Sequence, residues 1–332
     1  MKEILNDLYA HKTLSRKEAE DVLTNIAAGK YNPSQIASFI SVYLMRSITV
    51  DELAGFRDAL LKHCVAIDLS AFNTIDMCGT GGDGKDTFNI STLASFVVAG
   101  AGGKVTKHGN VGVSSSCGSS NVLEALGYKF STDADKLKRE LEKTNFCYFH
   151  APLFNPAMKN VAPVRRELGV KTFFNMLGPM VNPSFPRNQL VGVYSLELAR
   201  IYAYIYQQTD KNFCIVHSLD GYDEISLTSP FKVITRQEER VYTPGDLLMP
   251  CVKPADLCGG KTIEESKQFF LSVLEGKGTE AQNNVVIVNA AFGLHCLKSH
   301  QPLEECMEEA KESLFSGKAL QVLKKLIEMQ SI

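Results

Sequence analysis

The stretch TIDMCGTGGDGKDTFNISTLASFVVAGAGGKVTKHG, residues 74–109, decides the fold. TIDMCGT predicts a short strand that ends in glycines, STLASFVVAGAG predicts a helix that stops at Gly102 and Gly103, and KVTKHG predicts a second strand. The alternation continues through FCYFH, QLVGVYS, LELARIYAYIYQQ and NFCIVHSL. It predicts an α/β domain with a central, mostly parallel sheet.

Helical patterns fill the first 70 residues. Ser15 with Glu18 and Thr49 with Glu52 have the spacing of capping boxes before apolar runs. Between them, PSQIASFISVYLM predicts a mostly apolar helix that is buried. We therefore predict a small helical domain over residues 1–70, with a contribution from about 160–185, and a large α/β domain over 71–332. Residues 225–258 are expected to form antiparallel structure, and helices return from Thr262.

Composition narrows the class of protein. Of 332 residues, 45% are hydrophobic and 22% charged, and the net charge of −2 predicts no nucleic-acid partner. Nine cysteines without C-x-x-C spacing indicate free thiols in a reducing cytoplasm. The charged N-terminus is unlike a signal peptide, and no run of 18 apolar residues occurs, so a cytoplasmic protein without membrane contact is expected.

The loop CGTGGDGKDTFNIST, residues 78–92, matches two phosphate motifs in its letters. A dinucleotide fingerprint needs a helix that starts inside the glycines, but the helix is expected to begin only near Ser91. A Walker A loop needs Ser or Thr after Lys85, where the chain has Asp86. A plain strand-to-helix turn would need only one or two glycines. Backbone N–H groups and hydroxyls in this number favour a phosphorylated sugar instead.

Three further stretches carry compatible chemistry. KHGNVGVSSSCGSSN, residues 107–121, follows a strand and supplies a lysine, glycines and serines. Asp223 and Glu224 are adjacent carboxylates, and Mg²⁺ binds through one or two carboxylates together with substrate phosphates. Arg165, in APVRRELG, can form bidentate bonds to a carboxylate. Each stretch has a structural alternative without function. Residues 107–121 could be a flexible serine loop, Asp223 and Glu224 could lie in a solvated turn, and Arg165 could lie on a solvated helix face.

Together the four stretches resemble the anthranilate phosphoribosyltransferases. GTGGD followed by TFNIST, KHGN with a Ser/Gly-rich run and VLEALG, APVRRELG with GP and NP, and DGxDE all occur in the family's order over nearly the whole chain. The resemblance implies that anthranilate's amine attacks C1 of phosphoribosyl pyrophosphate (PRPP), in tryptophan biosynthesis. It also implies a fold like that of the pyrimidine nucleoside phosphorylases, a homodimer through the helical domains and two Mg²⁺ ions.

The resemblance assigns residues to each ligand. Those expected to bind PRPP are Gly79, Gly82, Asp83, Thr87, Asn89, Ile90, Ser91, Thr92, Lys107, His108, Gly109, Asn110, Val111, Gly112, Val113, Ser114, Ser115 and Ser119. Those expected to contact anthranilate are Gly79, Asn110 and Arg165, and those expected to bind the metal are Ser91, Asp223 and Glu224. No general base is evident, because an aniline-type amine is already unprotonated. Lys107 is expected to support the leaving pyrophosphate electrostatically.

The chain departs from the family pattern at four positions. The family's usual residues are Arg at Val111, Lys at Ser116, His at Asn155 and Asp at Asn121. Two positive charges are thereby lost, which leaves room for another aromatic substrate. The alternatives from other classes are a pyrimidine nucleoside phosphorylase-like enzyme and a catalytically inactive nucleic-acid-binding paralogue.

Overall fold

The computed structural model describes residues 1–112 and 117–331, and the chain forms two compact units. The first comprises Met1–Ile67 and Ala151–Pro183, and the second comprises Asp68–His150 and Ser184–Ile332. The first unit is helical and the second contains the sheet. The predicted fold class, a helical domain with a mostly parallel α/β domain, is confirmed.

The α-helices follow one another along the chain as α1 (Lys2–Tyr9), α2 (Arg16–Ala27), α3 (Pro33–Met45), α4 (Val50–Lys62), α5 (Ile90–Gly100), α6 (Ser119–Ala125), α7 (Ala134–Thr144), α8 (Ala151–Phe154), α9 (Ala162–Leu168), α10 (Leu196–Gln207), α11 (Ile263–Leu274), α12 (Glu280–Leu297), α13 (Leu303–Phe315) and α14 (Lys318–Glu328). Short 3-10 turns occupy Pro156–Asn160, Phe173–Met176, Gly178–Met180, Pro244–Leu247, Pro254–Leu257 and Met329–Ser331.

The strands are β1 (Thr74–Gly79), β2 (Lys104–Gly109), β3 (Phe146–His150), β4 (Asn188–Gly192), β5 (Asn212–Ser218), β6 (Phe231–Thr235) and β7 (Glu239–Tyr242). They form one sheet in the order β3-β2-β1-β4-β5-β6-β7. The pairings from β3 to β5 are parallel, whereas β6 and β7 are antiparallel, as expected for part of residues 225–258. The chain reverses its direction of sheet growth between β1 and β4, and ligands in open α/β sheets bind beyond the carboxyl ends of strands at such a point.

Capping explains where two helices of the first unit begin. Ser15 and Thr49 each accept a hydrogen bond from the backbone N–H of a glutamate three residues later, so both predicted capping boxes are confirmed. The prediction for α3 was only half right. One side packs into an aromatic cluster, but Leu44 and Met45 at its end are 45% and 87% exposed.

In the second unit, α12 is buried along most of its 18 residues and packs on β1, β4 and β5. Its apolar character comes from burial against the sheet and α5, which explains why its sequence lacks a polar face. Across residues 1–112 and 117–331, none of the helices combines the length and the apolar character that a membrane crossing needs.

Candidate active site

The carboxyl ends of β1 and β4 lie side by side, and Asp223 covers both. Gly79 ends β1 and pairs with Gly192 at the end of β4. A Cβ atom at Gly79 would lie 2.3 Å from Oδ2 of Asp223, and one at Gly192 would lie 1.6 Å from the Asp223 backbone oxygen. Only glycine leaves room for this approach. The carboxylate thus lies at the point where the fold predicts a ligand.

Asp223 and Glu224 are both buried, with 6% and 9% of their surface exposed. The alternative of a solvated turn is therefore wrong. Burial, with the charges of Glu224 and Asp83, raises the pKa of Asp223 well above its usual range. Burial also raises the pKa of Glu224 to about 7, although Lys107 and hydrogen bonds from Ser91 oppose it. Two neighbouring acids in a desolvated place favour binding of a cation or of protons.

The glycine loop after β1 needs its glycines for conformation. Gly81, Gly82 and Gly84 have φ angles of 68°, 80° and 73°, in the left-handed region that other residues avoid. The N–H of Gly81 donates a 2.6 Å hydrogen bond to Oδ2 of Asp223. The loop is thereby joined to the carboxylate pair.

Lys85, which completes the apparent Walker A match in the sequence, makes two contacts that hold this loop. Its ammonium lies 4.6 Å from the centre of the Tyr222 ring, in cation–π contact. Asp83 accepts a hydrogen bond from the Lys85 N–H at 3.0 Å. Lys85 therefore connects the glycine loop to the turn that carries Asp223, a contact that no local motif signals.

Lys107 is held in the interior of the second unit, beside the carboxylate pair. It is 1% exposed, and its ammonium donates to the backbone oxygen of Met77 and to the Ser91 hydroxyl, the latter at 3.3 Å. Its positive charge lowers the pKa of Glu224. The lysine therefore supports the carboxylate from within the core.

Other residues expected to bind PRPP are also buried. Ile90, Thr92, Lys107 and His108 expose 1%, 1%, 1% and 5% of their surface. Little of their surface is accessible, and their direct contact with PRPP stays a prediction. The remaining residues of the first loop, Gly79, Gly82, Asp83, Thr87, Asn89 and Ser91, are partly exposed.

The loop after β2 is closed at its stem by Asn121. Its side-chain oxygen accepts the N–H groups of Gly112 at 2.9 Å and Gly118 at 3.0 Å. An aspartate would accept the same two bonds, so this departure from the family pattern preserves the stem. Val111 is exposed where the family usually has arginine. Val113, Ser114, Ser115 and Ser116 lie outside the described residues.

Hydroxyl groups anchor the end of this loop. Ser119 lies 2.7 Å from the Tyr148 hydroxyl and donates to the Asn110 backbone oxygen at 3.4 Å. Ser120 contacts the same tyrosine at 2.8 Å and His150 Nδ1 at 2.8 Å. A Cβ atom at Gly109 would lie 2.3 Å from the Ser119 and Tyr148 oxygens. Tyr148 thus supports the predicted Gly109, Asn110 and Ser119, and nothing in its strand sequence indicates that role.

Arg165 lies on α9 of the first unit. Its guanidinium donates to the side-chain oxygen of Asn175 at 3.2 Å and lies 5.4 Å from the Phe174 ring centre. Burial lowers the pKa of Arg165. Asn155, where the family usually has histidine, is buried and donates to the Ala151 backbone oxygen at 3.3 Å. Gly79 and Asn110, the other residues expected to contact anthranilate, belong to the second unit.

Asn289 anchors the segment that follows Asp223 and Glu224. It is fully buried on α12, accepts the Ile225 N–H at 3.1 Å and donates to the Ile225 oxygen at 2.8 Å. These two bonds tie the residue after Glu224 to a helix that packs on the sheet. An asparagine inside the apolar run VVIVNAAFGL is the sequence signal that could have revealed it.

The donor set at the carboxylates fits Mg²⁺. Asp223, Glu224 and the Ser91 hydroxyl offer oxygen ligands, which this ion prefers. Within residues 1–112 and 117–331, no three or more His, Cys, Asp or Glu side chains form a group that could hold a metal. Mg²⁺ commonly keeps water and phosphate ligands beside one or two carboxylates, so a pair suffices when a phosphorylated substrate completes the site.

Comparison with known proteins places both units in one family. The family model described as glycosyl transferase family, a/b domain, matches residues 72–320, and the helical bundle domain of the same family matches residues 2–64. The anthranilate phosphoribosyltransferase of Flavobacterium johnsoniae is 62% identical over 99% of both chains. That of Bacteroides fragilis is 56% identical, again over 99% of both.

Solved structures agree. The enzyme of that name from Thermus thermophilus has a TM-score of 0.92 and 30% identity over 99% of both chains. The one from Saccharomyces cerevisiae, in complex with PRPP and Mg, has a TM-score of 0.89 and 26% identity over 98% of this chain and 96% of the other. This chain therefore belongs to the anthranilate phosphoribosyltransferase family.

Proposed function

We propose that this chain transfers the phosphoribosyl group of PRPP to the amine of anthranilate, forming N-(5-phosphoribosyl)anthranilate and pyrophosphate. The observation that carries the proposal is the Asp223 carboxylate, which lies over the ends of β1 and β4 beside Glu224 and the glycine loop. A substrate with several phosphates and an associated cation suits this arrangement. The similarity to relatives of that name supports the same reaction.

The chemistry requires little acid–base work from the protein. The C1–oxygen bond to pyrophosphate breaks, a C1–nitrogen bond forms, and the amine loses one proton to water. Because the anthranilate amine is neutral, its lone pair is already available. The protein positions the two substrates and stabilises developing charge, and such positioning can supply about 7–11 kcal/mol.

Each part of the site has a proposed role. The N–H groups of the glycine loop, with Thr87 and Asn89, bind PRPP. The exposed part of the second loop, from Gly109 to Gly112, closes over it together with Ser119. Asp223, Glu224 and Ser91 would bind Mg²⁺, which supplies positive charge opposite the pyrophosphate. The yeast structure that contains PRPP and Mg supports this use of the metal.

For anthranilate we propose Arg165, with Gly79 and Asn110. The guanidinium is partly desolvated, which strengthens a bond to a carboxylate. The yeast enzyme in complex with 4-fluoroanthranilate supports this class of ligand. We further propose a homodimer through the first unit, supported by the exposed Tyr9, Leu44 and Met45.

The test is the loss of anthranilate fluorescence when the purified protein is mixed with PRPP and MgCl₂. Fluorescence should fall with time, and it should stay constant when PRPP is omitted. A constant signal in the complete mixture would contradict the proposal. Phosphorolysis of thymidine or uridine by the same preparation would favour the nucleoside phosphorylase alternative instead.

A further inference from the structure

A distant segment is hydrogen-bonded to the glycine loop. Thr87 and Cys258 form an isolated antiparallel bridge. The Phe88 N–H donates to the Leu257 oxygen at 3.1 Å, and the Gly259 N–H donates to the Asp86 oxygen at 2.9 Å. We call residues 257–266 the latch segment. It contacts the loop through backbone atoms, directly beside Thr87 and Asn89.

The latch segment runs into the first turn of α11. A Cβ atom at Gly260 would lie 2.6 Å from the Ser266 nitrogen, so the chain turns tightly there. The Lys261 N–H donates to the Glu265 carboxylate at 2.7 Å, and Thr262 caps the helix. Farther along α11, Phe270, Val273 and Leu274 are buried in the core of the second unit. The bridge is therefore supported by the core.

The latch segment also contacts the second loop. Ser266 is buried, and its side chain lowers the pKa of the Cys117 thiol, although burial raises that pKa overall. The side chain of Asn89 donates to the Cys117 backbone oxygen at 3.0 Å. Cys117 precedes Gly118, which closes the stem of the second loop with Asn121. One segment thus meets both proposed substrate loops.

We infer that the latch segment is a positioning element that sets the backbone of residues 86–89 and of Cys117, and thereby the affinity for PRPP. The inference rests on the proposed function. A binding loop that is rich in glycine has many accessible conformations. Its N–H groups bind an anion well only when other contacts fix their positions. The bridge restricts the loop before the substrate arrives, which reduces the ordering cost of binding.

Gly259 is the residue that tests this inference. A Cβ atom there would lie 3.1 Å from the Thr87 oxygen, closer than ordinary contact, so the bridge must shift. Gly259→Ala should raise the KM for PRPP about tenfold and Gly259→Val more, since displacement by a fraction of an ångström already weakens a positioned site. In the same variants, the KM for anthranilate should change less than about twofold.

Two variants serve as controls. Cys258→Ala changes an exposed side chain within the bridge and leaves its backbone bonds intact. Gly245→Ala makes the same substitution where the new Cβ would lie 3.7 Å from the Thr243 hydroxyl oxygen, an ordinary contact distance. Both should retain the KM of the wild type for PRPP.

Amide hydrogen exchange provides a second readout that does not depend on turnover. In Gly259→Val, exchange should accelerate at residues 86–89 and 117–119 and stay unchanged in α12. Unchanged exchange in these loops, or an unchanged KM for PRPP in both Gly259 variants of an active enzyme, would overturn the inference. Absence of turnover in the wild type would instead contradict the proposed function, and the exchange result would still decide whether the segment positions the loops.

Discussion

Two buried acidic sites in this molecule differ in the direction of their pKa shifts. In the first unit, Glu52 is fully buried and accepts six hydrogen bonds, from Leu14, Tyr43, Arg46 and Thr49. Burial opposes its ionisation, but the hydrogen bonds from Arg46, Leu14 and Thr49 outweigh burial and hold the pKa of Glu52 below its ordinary value. In the second unit, Asp223 and Glu224 are also buried, yet their pKa values are raised.

The difference indicates what each site is for. A buried carboxylate with a complete set of donors fixes a structure, here the join between α4 and the residues before α2. A buried pair with an incomplete set is unfavourable by itself and becomes favourable when a cation binds. We therefore take the undercompensated pair as the functional site and the compensated glutamate as a structural one.

The largest effect is expected when the pair is neutralised. Asp223→Asn combined with Glu224→Gln should lower kcat at least about 1,000-fold, a scale typical of losing preorganised electrostatic stabilisation. The melting temperature should not fall, because the substitutions replace two buried acids whose ionised forms are unfavourable in this desolvated place. Turnover is measured by the anthranilate fluorescence assay, and stability by thermal unfolding.

Unchanged turnover and unchanged dependence on MgCl₂ in this double variant would refute the metal assignment. A large loss of stability would instead place the pair in the structural class with Glu52. Glu304→Gln, on the surface of α13, is the control for an acid without a proposed function.

Glu52→Gln should give the reverse result. Arg46 would lose its carboxylate partner, whose nearest oxygen now lies 2.6 Å away, in a largely buried place. Removing one member of such a pair costs about 3 kcal/mol of unfolding free energy. Chemical denaturation measures this loss, while kcat/KM of the folded fraction should stay the same. The exposed capping glutamate, in Glu18→Gln, should cost about 1 kcal/mol or less.

The smallest effect concerns a cation. Arg165 is half-buried, and its described contacts are the neutral side chains of Asn175 and Phe174. By the same reasoning that we apply to the buried acids, a half-buried cation with neutral partners is expected to bind an anion. Arg165→Ala is expected to raise the KM for anthranilate about tenfold or more, the scale of a lost charged hydrogen bond, and the KM for PRPP less. Steady-state kinetics test this, with the exposed neighbour in Arg166→Ala as control. An equal change in both constants would argue against the assignment.

Much of the fold was predictable because the signals were local. The glycine-terminated strand at residues 74–79 and both capping boxes involve residues within a few positions of each other. Direct hydrogen bonds between neighbours are visible in a sequence pattern. The prediction that α3 is buried was wrong at the end of the helix, where the apolar residues Leu44 and Met45 are exposed. Composition does not tell which apolar face is covered.

The sequence indicated the loops of the candidate site more clearly than the residues that support those loops. Lys107 has the residue type of a phosphate ligand, but its burial beside Met77 follows from the pairing of β1 with β2. The roles of Asn289, Tyr148 and residues 257–259 depend on contacts between segments far apart in the chain. Such contacts leave at most a faint local signal, such as a polar residue within an apolar helix.

The central claim is tested most directly by thermal unfolding of the wild type and the Asp223→Asn, Glu224→Gln variant at pH 5 and pH 8. Without metal, native Glu224 keeps its proton up to pH about 7, whereas the unfolded chain releases it near 4.5. Raising the pH through that window therefore favours unfolding. The wild type should lose more stability than the variant between the two pH values, and MgCl₂ with PRPP should restore it at pH 8 only in the wild type. Identical responses of the two proteins to pH and to MgCl₂ with PRPP would contradict the account.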